Sequence, residues 1–415
     1  MRGVVWLLLI FAVAVIAATT FGNNDGLVSI YWHPWRVDLS FNLFVLLMLV
    51  ASIVLYALVQ AVNALVGLPR RAHEWRLLQR ERVAQAALRE ALSFSFAGRH
   101  SRARRAAQRA IEAQAPSHEL SGDAQFTALA HLLAAQSAHR LQDRAARDDQ
   151  LQKALELAQA HAAARPVGEG ARLLAAEWAI EDRDAERALS DLAALPPGVA
   201  RRTQALRLRL QAARLARQPL EALRTARLLA KHQAFAPAAA QGLLRALAID
   251  LLDSARDGDQ LLKSWRQLDD ADRADAFIAA QAAQRAGDMG IPREGRAWLR
   301  PFWERLPRLS EGERAAVTRA LLGVMQGLPS DWLPLIEGAV RELPTDPTVA
   351  HAAGRALAER QLWGRARRLL EFAANAPHAD AVRRRDAWRT LAKLAEQEGD
   401  TERAHECHRQ AATLG

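Results

Sequence analysis

The chain has 415 residues and a formal net charge of +10, from 56 Lys and Arg against 46 Asp and Glu. Its single cysteine, Cys407, excludes an internal disulfide framework and favours a reducing compartment for most of the chain. Abundant Ala, Leu, Arg and Gln with only two Tyr is a composition typical of helices rather than sheets.

Two long apolar runs lie near the N-terminus. The first, residues 3–20, is about 27 Å long as a helix and just crosses a hydrocarbon core of about 30 Å. The second, residues 43–65, is about 34 Å long and spans with some tilt. We predict transmembrane helices over residues 1–20 and 43–66. A cleaved signal peptide is the alternative for the first run, because small residues stand near its end.

The basic residues predict how the two spans are oriented. Arg36 is the only cation in the loop 21–42, whereas five arginines follow the second span. These are Arg70, Arg71, Arg76, Arg80 and Arg82. The positive-inside rule places the loop outside and both termini in the cytoplasm. We expect the five arginines, on a juxtamembrane helix over residues 67–96, to lie near anionic headgroups, and this position makes a nucleic-acid interpretation weaker.

The loop 21–42 carries two alternating runs, "LVSIYW" and "WRVDLS", of the kind that form half-buried strands. Pro34 suits a turn between them. The plain interpretation is an interfacial aromatic belt that includes Trp32 and Trp35. A sharper hypothesis is that a haem or porphyrin lies on these two rings with His33 as axial ligand. The alternative for His33 is a solvated turn histidine.

From residue 72 onward, short helical segments are broken by Gly, Pro and Asp, which predicts paired-helix repeats over residues 97–415. The last two segments show the small residues that tetratricopeptide repeats need where their helices touch. The predicted repeat-packing positions are Gly354, Ala366, Ala373, Trp388, Ala392, Gly399, Ala404 and Ala411. Upstream repeats are degenerate, and any Ala-rich bundle yields similar small-residue pairs by chance.

Candidate chemistry is weak throughout the chain. The "HECH" run at 405–408 lacks the spacing of a metalloprotease helix and has no second ligand cluster. The "DDADRAD" run at 269–275 is expected to cap and solubilise the next helix rather than form a catalytic carboxylate pair. Gly287 and Gly290 form a loop without a phosphate-binding signature. We therefore predict a protein that is not an enzyme, with no metal site.

Four parts of the chain carry a resemblance to a known family: the loop 26–40, the Arg-rich helix running into "ALSFSFAGRHSRA", the segment "LLKSWRQLDDADRADAFIAAQAAQRAGD" and the last two repeats. Together they resemble the HemY family. These are proteobacterial inner-membrane proteins whose genes accompany those of porphyrin biosynthesis. The resemblance implies an inner-membrane protein with a periplasmic loop and a role in late haem biosynthesis. The flavin-dependent oxidase of the same name is different, because this chain has no GxGxxG after a strand.

The fold expected from these features is all-α, a transmembrane hairpin followed by an irregular tetratricopeptide-like α-solenoid. The expected function is a membrane-anchored scaffold whose groove binds enzymes of late haem biosynthesis or peptides, with no nucleic-acid partner. No cofactor is predicted beyond the haem or porphyrin hypothesis at His33. Two alternatives stay open: a haem- or porphyrin-binding regulator, and a general envelope-assembly scaffold.

Overall fold

The computed structural model describes residues 26–114 and 123–414 of the chain. The first half of its elements are β1 Leu27–Trp32, β2 Trp35–Ser40, α1 Phe41–Phe96, α2 His100–Gln114, α3 Ala124–Arg140, α4 Arg144–Ala160, α5 Arg165–Glu181, α6 Ala185–Ala193, α7 Pro197–Ala200, α8 Thr203–Leu215 and α9 Pro219–Lys231. They continue with α10 Pro237–Asp253, α11 Gly258–Gln267, α12 Asp270–Arg273, α13 Ala276–Asp288, α14 Pro292–Trp303, α15 Glu311–Gly323, α16 Leu333–Glu342, α17 Pro347–Glu359, α18 Trp363–Asn375, α19 Ala381–Glu398 and α20 Thr401–Thr413. The predominantly helical class is confirmed. The predicted first span, residues 1–20, lies outside the described residues, so the transmembrane hairpin is not shown.

Helix α1 is the longest element, with 56 residues and a length of about 84 Å. Its N-cap is Ser40, whose hydroxyl accepts a hydrogen bond from the Leu43 N–H at 3.4 Å. At the other end, Gly98 adopts a left-handed φ of +71° and turns the chain into α2. The second predicted span and the predicted basic juxtamembrane helix are therefore parts of one continuous helix.

The chain divides into two compact units, residues 1–153 and 154–415. In the first unit, the C-terminal part of α1 packs against α2 and α3. Alanines fill this contact, since Ala91, Ala106 and Ala110 are completely buried. Their small side chains let the helix backbones approach closely, which explains why an Ala-rich sequence can build a core here.

In the second unit, helices that follow one another in the sequence pack against each other as pairs. Helix α13 contacts α14, α17 contacts α18, and α19 contacts α20. The first helices of adjacent pairs also contact one another, α13 with α15, α15 with α17, and α17 with α19. Each pair therefore buries its apolar face only by stacking on the next pair, as in repeat proteins.

Close glycine contacts allow this stacking at several points. A Cβ built on Gly287 of α13 would lie 2.2 Å from the carbonyl oxygen of Gly323 at the end of α15. A Cβ on Gly295 would lie 2.8 Å from a methyl carbon of Val324 and 3.1 Å from the carbonyl oxygen of Ala283. At these positions only glycine fits the observed helix separation.

Arginine–aspartate pairs connect successive helix pairs. Asp275 accepts the backbone N–H groups of Phe277 and Ile278 at the start of α13 and also accepts from Arg245 of α10 at 2.7 Å. Asp346 has the same double role at the start of α17, with Arg314 of α15 at 3.0 Å. Each carboxylate thus caps one helix and holds the preceding repeat against it.

Candidate membrane anchor and partner-binding surfaces

The described chain begins with a two-stranded antiparallel hairpin. Ile30 lies opposite Val37, and Trp32 lies opposite Trp35 next to the turn. The strands occupy the residues where the sequence alternates, and the His33–Pro34 peptide bond in the turn is cis. Both indole rings are about three-quarters exposed.

A polar network covers part of the hairpin. The Ser29 hydroxyl and the Arg36 guanidinium both donate to the Asp38 carboxylate, the latter at 3.0 Å. The Ser29 hydrogen bond and then the Arg36 partner hold the pKa of Asp38 below its usual range. The Arg36 guanidinium also lies 5.3 Å from the centre of the Tyr31 ring. The charges of Arg36 and Asp38 are therefore paired within the hairpin.

His33 lies exposed at the tip of the hairpin, between the strands that carry Trp32 and Trp35. Among the described residues, no group of three or more His, Cys, Asp or Glu side chains has the arrangement of a metal site. Haem binding at His33 stays a prediction.

The first 22 residues of α1, Phe41–Val62, form a mainly apolar segment in which no side chain is buried by protein. Within the residues that the structure describes, this is the one helix whose length and composition suit a membrane span. A helix with apolar side chains on every side requires an apolar environment, because it has no polar face to present to water. This segment is the candidate membrane anchor.

Removal of this segment is expected to release the protein from membranes. A chain that starts at residue 84 should move to the soluble fraction, while a matched chain of residues 26–415 should resist alkaline carbonate extraction. The reason is that the second chain keeps about 22 apolar residues, which is the length of a spanning helix. Fractionation followed by immunoblotting measures the difference. Membrane retention of both chains would contradict this assignment.

Beyond the span, α1 carries the predicted basic residues. Arg76, Arg80 and Arg82 are exposed on this helix. Arg70 and Arg71 lie on the same helix, nearer to the span. Because all five follow Val62 within about six helical turns, they lie on the side of the span where the rest of the chain continues. Their contact with anionic headgroups remains a prediction.

The structure places the predicted repeat-packing residues along α17 to α20. A Cβ on Gly354 of α17 would lie 2.7 Å from the Leu370 Cγ in α18. Gly399 ends α19 with a left-handed φ of +79°, and Trp388 is half-buried on the same helix. The remaining five positions are all buried: Ala366, Ala373, Ala392, Ala404 and Ala411.

An open cleft of about 880 Å³ lies between α18, α19 and α20. Its wall combines apolar side chains with an ion pair between Arg403 and Glu371. The other lining residues include Asn375, Trp388, Leu391, His405 and Cys407. Burial raises the pKa of the Cys407 thiol, which keeps it protonated and weakly nucleophilic at neutral pH.

A buried polar network connects α17 to α19, and sequence reasoning missed it. His351 Nε2 lies 2.8 Å from Asp386 Oδ2, and Arg355 donates to the same carboxylate at 3.0 Å. Burial raises the pKa of Asp386, but the contacts to His351 and Arg355 outweigh it and lower the pKa overall. Arg355 and Asp386 are 31 residues apart, close to the 32 that separate Arg314 from Asp346. This recurrent spacing is the sequence signal that could have revealed both pairs.

Tryptophans between residues 265 and 303 and the predicted capping aspartates at 269–275 also find partners. Trp303 is almost completely buried, and Trp265 stacks on Trp298 with 4.7 Å between ring centres. In the acidic run at 269–275, Asp272 is buried in an ion pair with Arg227. These residues act in packing and capping.

Comparison with known proteins gives two results. A search of curated proteins finds no match. Among solved structures, the chain is similar to one described as "Structure of Naa15/Naa10 bound to HypK-THB", with 14% identity and a TM-score of 0.22. The alignment covers 75% of this chain and 56% of that chain, so this protein spans little more than half of that structure's length. A similarity of this size carries no argument about fold or function.

A family comparison addresses the N-terminal part directly. The family model described as "HemY protein N-terminus" matches residues 26–142. The match begins at the hairpin, includes the apolar and basic parts of α1, and ends just after α3. Residues 26–142 are therefore similar to the N-terminal domain of the HemY family, and the match covers about a quarter of the chain.

Proposed function

We propose that this protein is a membrane-anchored helical-repeat scaffold that holds proteins of late haem or porphyrin biosynthesis at the inner face of a bacterial inner membrane. The observation that carries the proposal is helix α1, which continues without a break from an apolar span into a packed helical unit. A continuous helix couples the helices packed on it to the bilayer. Partners bound there would meet at a raised local concentration.

The similarity of residues 26–142 to the HemY N-terminal domain supports the link to porphyrin synthesis, which we infer from this match rather than from the geometry. We infer binding rather than catalysis because charged groups that line the C-terminal cleft are paired with one another. Arg403 pairs with Glu371, and Arg409 pairs with Glu406. The proposed occupants of the cleft are partner proteins, not a small substrate.

The orientation that this proposal requires is both termini in the cytoplasm. It is supported by the arginines that follow the span, since basic residues stay on the cytoplasmic side. A fluorescent protein fused after Gly415 should fluoresce, and alkaline phosphatase at the same place should stay inactive. The reverse pattern would contradict the orientation and the proposed cytoplasmic partners together.

Partner capture at the C-terminal cleft is the direct test of the function. A photoreactive amino acid at His405, which is exposed and lines the cleft, is expected to crosslink to a porphyrin-pathway enzyme in living cells. Gln410 is the matched control, because it is exposed on the same helix but does not line the cleft. Mass spectrometry of the captured proteins gives the answer. Identical products from both positions, or none above an unrelated membrane protein, would count against the scaffold.

A further inference from the structure

The N-terminal hairpin has two chemically different faces. Residues directly opposite each other on antiparallel strands project to the same side of the sheet. Three opposed pairs therefore share one face, and all six residues are apolar: Val28 and Leu39, Ile30 and Val37, Trp32 and Trp35. We call this the apolar face. The other side carries Leu27 opposite Ser40, Ser29 opposite Asp38 and Tyr31 opposite Arg36, and Ser29 and Arg36 both donate to Asp38.

The apolar face is open in the structure. Trp32 and Trp35 are 77% and 75% exposed, and Ile30 and Val37 are 41% and 48% exposed. A contiguous exposed apolar surface of this kind marks contact with another apolar phase or molecule. The charged residues on the opposite face of the hairpin need no such contact, because Arg36 and Asp38 form an ion pair with each other.

The hairpin is fixed at the very end of the candidate span. Strand β2 ends at Ser40 and α1 begins at Phe41, so no linker separates them. The Phe41 N–H donates to the Gly26 carbonyl oxygen at 2.8 Å, which closes the base of the hairpin onto the first residue of the helix. A strand of six residues extends about 20 Å, so the hairpin is long enough to lie along the headgroup layer beside the start of the span.

We propose that the apolar face of the hairpin lies against the lipid at the membrane interface, with Trp32 and Trp35 as its anchors and with Ser29, Arg36 and Asp38 turned to water. Indole rings favour this region, because their apolar bodies meet the acyl chains while their N–H groups reach polar headgroups. This inference rests on the proposed span Phe41–Val62 and adds a second, in-plane attachment to it. Two attachments of different direction restrict rotation and tilt of α1, which a single helix leaves free.

Lipid is favoured over a protein as the occupant of this face. Stable protein interfaces use about 20–30 residues on each side, whereas the apolar face offers six. A lipid surface needs no shape match and is already adjacent to the hairpin through the start of α1. The outcomes of the experiment below separate these two occupants.

Nitroxide labels on full-length protein in lipid nanodiscs test the proposal. Cys407 is replaced by alanine, and single cysteines are placed at Ile30 on the apolar face, at the adjacent Tyr31 on the other face, and at Leu49 within the span. Collision with oxygen reports lipid exposure, and collision with a water-soluble nickel chelate reports water exposure. We expect nickel accessibility at Ile30 to be about threefold or more below that at Tyr31, with high oxygen accessibility at Ile30.

The Leu49 label separates a failure of this inference from a failure of the proposed span. If Ile30 and Tyr31 meet the nickel chelate equally while Leu49 meets only oxygen, the hairpin is not bound to lipid although the span holds. If Leu49 itself meets the chelate, the span fails. Low accessibility of Ile30 to both reagents would show that protein covers the face and would also overturn the proposal. Trp32→Ser with Trp35→Ser should raise the nickel accessibility of Ile30 toward that of Tyr31.

Discussion

Replacing Gly287 with alanine is expected to destabilise the second unit by about 3 kcal/mol. The added Cβ would meet the backbone carbonyl oxygen of Gly323 at 2.2 Å and its carbonyl carbon at 2.9 Å. Backbone atoms cannot rotate away as a flexible side chain can, so α13 and α15 must separate. Their separation also opens the core around Val324, which packs beside both helices.

Gly338→Ala is the matched control for this substitution. Gly338 lies inside α16, and a Cβ there would have no atom within 4 Å. Alanine in an open helical position is expected to stabilise by up to about 1 kcal/mol. Thermal unfolding gives the global comparison, and hydrogen exchange of α13 to α15 locates the effect, since repeat arrays lose two-state behaviour. Equal unfolding of both variants would contradict the close contact.

Asp346→Ala is expected to cost about 3 kcal/mol, an effect as large as that of Gly287→Ala. The carboxylate accepts the backbone N–H groups of Thr348 and Val349 at 2.8 and 3.3 Å, and it accepts from Arg314 at 3.0 Å. Both partners of the ion pair are largely buried, with side-chain exposures of 20% and 14%. Alanine therefore leaves an uncapped helix and a half-buried guanidinium without its counter-charge.

The asparagine variant separates capping from charge. Asp346→Asn keeps an oxygen that caps α17 and loses only the charge that pairs with Arg314, so it should cost about 1–2 kcal/mol. Chemical denaturation of the three proteins measures the order wild type, asparagine, alanine. An asparagine variant as unstable as the alanine variant would assign the whole effect to the ion pair.

The advantage of aspartate over asparagine at position 346 should depend on pH. Burial raises the pKa of Asp346, but the bonds from Thr348, Val349 and Arg314 outweigh it and hold the pKa below its usual range. A carboxyl with a depressed folded-state pKa stabilises the fold at pH above its unfolded pKa of about 3.9. That stabilisation disappears as pH falls through the lower folded pKa. The wild type and the asparagine variant should therefore converge in stability only under strongly acidic conditions.

Local patterns predicted the local features of this protein. The alternation in residues 27–32 and 35–40 marks the strands of the hairpin, and uninterrupted apolar sequence marks the segment Phe41–Val62. The regular small-residue spacing around Gly354 led to a position where a side chain would meet Leu370. In each case the physical cause acts between neighbours in sequence or over one repeat, which is the range that such patterns reach.

Contacts between distant residues escaped the same reasoning. Gly287 was interpreted as part of a loop, although it lies in α13 against the backbone of residue 323. The pairing of Asp386 with His351 and Arg355 likewise depends on how two repeats stack. No local propensity encodes which residues of two stacked repeats meet. The positions that we expect to be most sensitive to substitution therefore became visible only in three dimensions.

The unbroken course of α1 gives the anchor a mechanical role. Between the end of the apolar segment at Val62 and Ala84, the first buried alanine among the described side chains of this helix, α1 runs for about 32 Å. Because each helical residue adds about 100° of rotation, inserting one residue there would swing the attached helices to a different side of the axis. The length of this helical segment, more than its composition, would then determine in which direction the helices packed on α1 point and how far they lie from the lipid.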